Sequence, residues 1–197
     1  MIKMPNNWSE VQEFSDKQKL PLGAYVAKVK KAVVQSTDWG DQLCLVFDIS
    51  EGEHKDYFKN EFDSNTQEGK KWKGVLKQWL PKEDGSEKDE WTKRSLKGMV
   101  TAFETSNLGF RWNWDEASLV GKTVGVLMRN EEWEYNGQTG WTVRPFRAIS
   151  ADKVRSGEFT LPKERPLKNK EASGSSAPAS STDAYGFQDI STDDIPF

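Results

Sequence analysis

The sequence predicts a mainly β domain with a helical insertion, in the order of an OB-fold: a five-stranded barrel with helices between strands three and four. A disordered C-terminal tail is expected to follow it. Three observations carry this reading. Alternating β-forming runs occupy the chain up to residue 62, helical periodicity follows from 72 to 103, and two further alternating runs flank Asn136-Gly137. Asn-Gly between such runs is a strong hairpin signal, because both turn residues must take a left-handed backbone.

Residues 1–20 are polar, with Trp8, Val11 and Phe14 three apart, and are expected to form a short N-terminal arm lying on the domain. The first strand reads from Leu22 to Val34, where Tyr25, Val26, Val29, Val33 and Val34 are interleaved with Lys28, Lys30 and Lys31. Asp38-Trp39-Gly40-Asp41 turns the chain. Gln42 to Ser50 is a second strand in which Leu43, Leu45, Phe47 and Ile49 alternate. After Glu51-Gly52-Glu53, residues His54 to Phe62 read as a third strand carrying Tyr57, Phe58 and Phe62.

The period then changes. Trp72, Leu76, Trp79 and Leu80 fit one helical face, stopped by Pro81 and Asp84-Gly85. Ser86 can cap a second helix with Trp91, Leu96, Met99, Val100 and Phe103 as its apolar stripe, ending near Ser106-Asn107. Lys122 to Arg129 and Trp141 to Ile149 form the last two strands. The domain so defined covers 21–157. A β-sandwich fragment and an SH3-like barrel compete with the OB order, but neither usually holds two helices at this place.

Composition narrows the function. The 197 residues include one cysteine, Cys44, and one histidine, His54. That number forbids an internal disulfide and a Cys/His zinc site, and any His-dependent catalysis would rest on His54 alone. No stretch approaches the ~18 apolar residues of a membrane span and no signal-peptide core opens the chain, so an intracellular, cytoplasmic protein without a membrane partner is expected. Aromatic residues make up 12% of the chain, with nine tryptophans, more than a core of this size needs. Of the 28 bases and 31 acids, residues 166–197 hold two bases and five acids, so 1–165 is neutral and the net charge of −3 sits in the tail. The run Ala172-Ser173-Gly174-Ser175-Ser176-Ala177-Pro178 is too poor in apolar residues to order itself, which makes 158–192 a disordered linker.

Two motifs that suggest enzymes carry little. Gly121-Lys122-Thr123 resembles the end of a phosphate loop, but Glu116 stands where its first glycine belongs and a strand follows. Asp48, Glu53 and Lys55 could imitate a Mg²⁺-dependent nuclease site, yet such spacings are common in charged turns. No catalytic residue, metal or cofactor is therefore expected. The strand residues say more. Lys28, Lys30, Arg129 and Arg144 could follow phosphates while Trp39, Tyr57, Phe58, Trp133, Tyr135, Trp141 and Phe146 stack on unpaired bases, the combination that single-strand binders use.

The chain ends Asp193-Asp194-Ile195-Pro196-Phe197, two acids before an apolar tripeptide, the form of a ligand for a pocket rimmed by cations. This pentapeptide resembles the acidic tip of bacterial single-stranded DNA-binding proteins. On uniform odds it would arise at a fixed end about once in three million chains. Residues 1–160 resemble instead a family of phage and prophage proteins encoded among replication and recombination genes. Leu20-Pro21-Leu22-Gly23-Ala24-Tyr25, Leu45-Val46-Phe47-Asp48-Ile49-Ser50-Glu51-Gly52 and Gly121-Lys122-Thr123-Val124 carry that likeness. The resemblances imply a phage-type protein that coats single-stranded DNA in the host cytoplasm and recruits replication or recombination proteins of host or phage through residues 193–197. A homo-oligomer is compatible with this. The competing readings are an adaptor that carries the tip but binds protein through its barrel, and a Mg²⁺-dependent nuclease.

Overall fold

The computed structural model describes residues 3, 4, 6, 8 and 19–167. Most of the expected arm, the linker from 168 onward and the tip at 193–197 lie outside the described residues.

Five strands form one antiparallel sheet: β1 (Ala24–Thr37), β2 (Gly40–Ile49), β3 (Val75–Trp79), β4 (Thr123–Tyr135) and β5 (Gln138–Ile149), in the spatial order β3-β2-β1-β4-β5. The protein is mainly β. Strand β1 is long enough to serve two partners: Ala24–Lys28 pairs with β4, while Ala27–Thr37 pairs with β2 through a bulge at Lys30. The edge strands β3 and β5 come into contact, but no hydrogen-bonded ladder joins them, so the sheet is not closed. Three helices complete the fold: α1 (Tyr57–Ser64), α2 (Glu87–Ser106) and α3 (Ala151–Ser156).

The sequence reading assigns two segments after β2 to the wrong kind of element. Tyr57, Phe58 and Phe62 lie on a helix, not on a third strand. The buried Asp48 carboxylate accepts the backbone N–H groups of Phe58 and Lys59 at 3.1 and 3.2 Å and so caps the first turn of α1. The third strand is Val75–Trp79, in the stretch read as helical. Its Leu76 faces Leu45 across the β2–β3 ladder, and Gly74 lets the two chains close up, since a Cβ there would stand 2.5 Å from the Phe47 carbonyl oxygen. The sheet pairing outweighs a weak local period over five residues.

Helix α2 behaves as its cap predicts. Ser86 Oγ accepts the Asp89 N–H at 3.1 Å, and Leu96, Met99 and Phe103 are buried beneath it. Trp91, expected in that stripe, is exposed instead. The core lies between one side of the sheet and α2, built on Val29, Leu45, Phe47, Ile49, Leu76, Phe103, Val124, Val126 and Met128. The alternation expected in the second strand is absent from its burial, because Gln42 through Ile49 are all buried. Half-buried Lys31, Val33, Gln35, Val75, Lys77 and Trp79 on the neighbouring strands cover its outward residues.

Candidate nucleic-acid interface

The β4–β5 hairpin positions most of the sequence-predicted residues. Its turn is Asn136-Gly137, with φ of +50° and +75°, the left-handed pair that a two-residue turn matching the strand twist requires. Because paired residues in an antiparallel ladder share a face, Arg129 lies opposite Arg144, Glu131 opposite Thr142, Trp133 opposite Gly140 and Tyr135 opposite Gln138, all on one side. Trp141 sits on the other side, opposite Glu132.

Register slips by one residue between Leu127 and Met128, which leaves Phe146 as a bulge. The bulge places its ring under the Arg129 guanidinium at 4.2 Å, with that of Arg147 at 5.8 Å. Glu131 accepts the Arg129 Nε–H at 2.9 Å and faces Arg165 at 3.9 Å. One guanidinium is thus fixed in orientation by a carboxylate and an aromatic face together. The Trp133 ring packs against Gly140, where a Cβ would come within 2.7 Å of it. Trp133 is 37% exposed, Trp141 42% and Tyr135 70%.

The remaining predicted residues are dispersed. Trp39 stands in the β1–β2 turn, exposed, its N–H donated to Thr37 Oγ1 at 3.2 Å. Lys28, opposite Asp48, and Lys30, at the bulge of β1, are both exposed. Tyr57 is half-buried and accepts the Leu20 N–H through its hydroxyl. Burial pushes its phenol up from the ordinary tyrosine range, reinforced by the charge of Glu61. Phe58 leaves the candidate set. It is buried in the core against Phe47 and Tyr57, because the segment is helical and turns that side inward.

Reading 72–80 as a helix also hid a surface. On the outward side of the sheet, Lys77 lies beside Cys44 and Trp79 beside Gln42, with Gln35 on the far side of both. Strand period two, applied to Val75–Trp79, would have put Val75, Lys77 and Trp79 on that side. Gln42 is buried there, and its Nε2 has no hydrogen-bond partner. Burial pushes the Cys44 thiol up, an effect that the charge of Lys77 opposes.

Of the residues considered for a metal site, Asp48 is committed to the backbone N–H groups of Ile49, Phe58 and Lys59, while Glu53 and Lys55 are exposed. Among the described residues no three His, Cys, Asp or Glu side chains are grouped as metal ligands. No described helix is long and apolar enough to cross a membrane. The chain as expected to leave the domain at 158 is described as far as 167. Arg165 donates its N–H to the Asn130 carbonyl and its own carbonyl accepts that of Glu132, which lays this segment parallel to β4 midway along the hairpin.

No protein-family model matches the chain, and a search of the curated proteins finds no match.

Proposed function

We propose that this protein binds single-stranded DNA through an OB-type barrel, coating strands exposed during phage replication or recombination, and recruits partner proteins through Asp193–Phe197. The observation that carries the reading is the face of the β4–β5 hairpin, where Arg129, Arg144, Trp133 and Tyr135 stand together with Phe146 clasped beneath Arg129. Cations spaced among exposed rings are what an unpaired strand requires, phosphates for the former and base faces for the latter. The strand order β3-β2-β1-β4-β5, with α2 inserted between β3 and β4 and the edge strands in contact, supports the barrel assignment. In such a barrel the Trp39 turn and the β4–β5 hairpin correspond to the two loops that flank bound strands. No catalytic step and no cofactor enter this reading, and it places the protein in the host cytoplasm.

Because residues 1–165 are neutral, stacking contributes more than counterion release. Oligo-dT should therefore quench tryptophan fluorescence with a shallow salt dependence, each neutralised phosphate adding about −0.7 to the slope of log affinity against log salt. Duplex of the same length should bind far more weakly. Equal affinity for duplex and oligo-dT would overturn the proposal.

A further inference from the structure

Between α2 and β4 the chain makes a closed loop with no counterpart in the hairpin site. Asn107 ties its ends together: its Nδ2 donates to the Thr123 carbonyl at 2.7 Å, and its Oδ1 accepts the Thr123 N–H at 3.0 Å. Compact surface loops with joined ends are frequent carriers of function. This one displays Leu108, Phe110, Trp112 and Trp114. Trp112 is anchored, half-buried against the core, with its indole N–H donated to the Asp115 carbonyl at 2.9 Å and its backbone N–H to Glu104 at 3.2 Å. Trp114 leans on it, ring centroids 4.9 Å apart and planes tilted by 38°, and is 69% exposed.

Trp114 also holds a left-handed backbone, φ +67°, which is costly for a bulky side chain. A strained residue whose ring faces solvent marks a position where packing does not explain the conformation. Two cations adjoin the rings. Lys122 Nζ lies 4.6 Å over Phe110, and the guanidinium of Arg111 projects into solvent while it pairs with Glu104 at 3.1 Å. Of the loop's own acids, Asp115 accepts the Ala117 N–H, and Glu116 opens the short 3₁₀ turn Glu116–Leu119.

We propose that Trp114, backed by Trp112, is a second platform for unpaired bases, so that a strand bound at the β4–β5 hairpin is also held at the 107–123 loop. A fixed lower ring and an open upper ring extend a stack by one base at little ordering cost, with Arg111 and Lys122 placed for the adjoining phosphates. A purely apolar partner would use the rings and Leu108 but would leave both cations without a role. This inference rests on the single-strand reading above and adds a second contact to it.

The test uses the full chain and oligo-dT of graded length, read by anisotropy of a labelled strand, with Trp133→Ala as the hairpin variant. Trp114→Ala should weaken binding of long oligo-dT about 5- to 150-fold, leave the shortest oligomers that bind unaffected, and shorten the length occluded on poly-dT. Trp114→Phe, which keeps a ring in the same backbone, should recover much of the loss. If the wild type binds oligo-dT and loses affinity in Trp133→Ala but not in Trp114→Ala, the second platform is overturned while the hairpin site stands. If Trp114→Ala changes only sedimentation, the loop joins copies of the chain and the proposal is likewise overturned. No binding of oligo-dT by the wild type removes the underlying reading itself.

Discussion

Asp48 shows how one side chain fixes local structure that its neighbours do not specify. Two per cent exposed, it accepts three backbone N–H groups, those of Ile49, Phe58 and Lys59, and so joins the end of β2 to the start of α1. Its burial pushes the carboxyl above the usual aspartate range, opposed by those three donors and by Lys30. A folded-state pKa raised above the unfolded value means that folding disfavours the ionised form. The contribution of Asp48 therefore grows as pH falls through the interval between the ordinary and the raised values, and is smallest above it. Asp48→Ala leaves the Phe58 and Lys59 donors without acceptors and should lower stability by about 1–3 kcal/mol at neutral pH. Denaturant titration should show the gap between wild type and variant widening on acidification. A gap that narrows would contradict the burial argument.

At the scale of elements, what was legible in the chain depended on whether the signal was local. Asn136-Gly137 dictates its own turn and Ser86 its own cap, so the hairpin and α2 could be read without knowing their neighbours. Segment 57–64 could not, since Tyr57, Phe58 and Phe62 suit either a strand or a short helix, and the Asp48 cap that decides between them lies ten residues before Phe58. Val75–Trp79 is a strand only because β2 offers an edge to it, and Gly74 permits the approach. The candidate site divides the same way. The Asn-Gly turn makes the shared face of the hairpin residues legible, whereas the wrong period conceals Lys77 and Trp79, and the Trp112–Trp114 pair depends on a loop closed by Asn107 that no spacing rule describes. Cross-strand packing also makes Gly140 a lever on the hairpin. Gly140→Ala sets a methyl within 2.7 Å of the Trp133 ring, which must swing aside at the exposed end of the ladder. Oligo-dT affinity should fall about 5- to 150-fold, as for loss of one stacked base, while the melting temperature stays nearly constant. Unchanged affinity would remove Trp133 from the site.

Across the whole molecule, charge is distributed unevenly. The 1–165 region is neutral, and the excess of acids is concentrated in 166–197, ending in Asp193 and Asp194. The last segment described, around Arg165, runs beside Asn130–Glu132, midway along the same hairpin that carries Arg129 and Arg144. On the proposed reading the tail's acids would compete with phosphates for those guanidinium groups, a competition that should fade as salt shortens the range of the interaction, to about 8 Å at physiological ionic strength. Deleting Asp193–Phe197 removes two negative charges and every apolar residue of the recognition segment, while leaving the sheet, its hairpin and the 107–123 loop untouched. Affinity for oligo-dT should remain as it was or rise slightly, with any rise confined to low salt. On the proposed reading, capture of the bacterial enzymes that read Asp-Asp-Ile-Pro-Phe tips should be lost, since Phe197 and Ile195 would provide the groups that bury and the two aspartates those that meet the partner's cations. Ile195→Ala and Phe197→Ala should each reproduce that loss without altering DNA binding. A truncated chain that still retains those enzymes in a pull-down would show that recruitment runs through the folded domain, which is the behaviour of an adaptor and not of a tip-dependent single-strand binder.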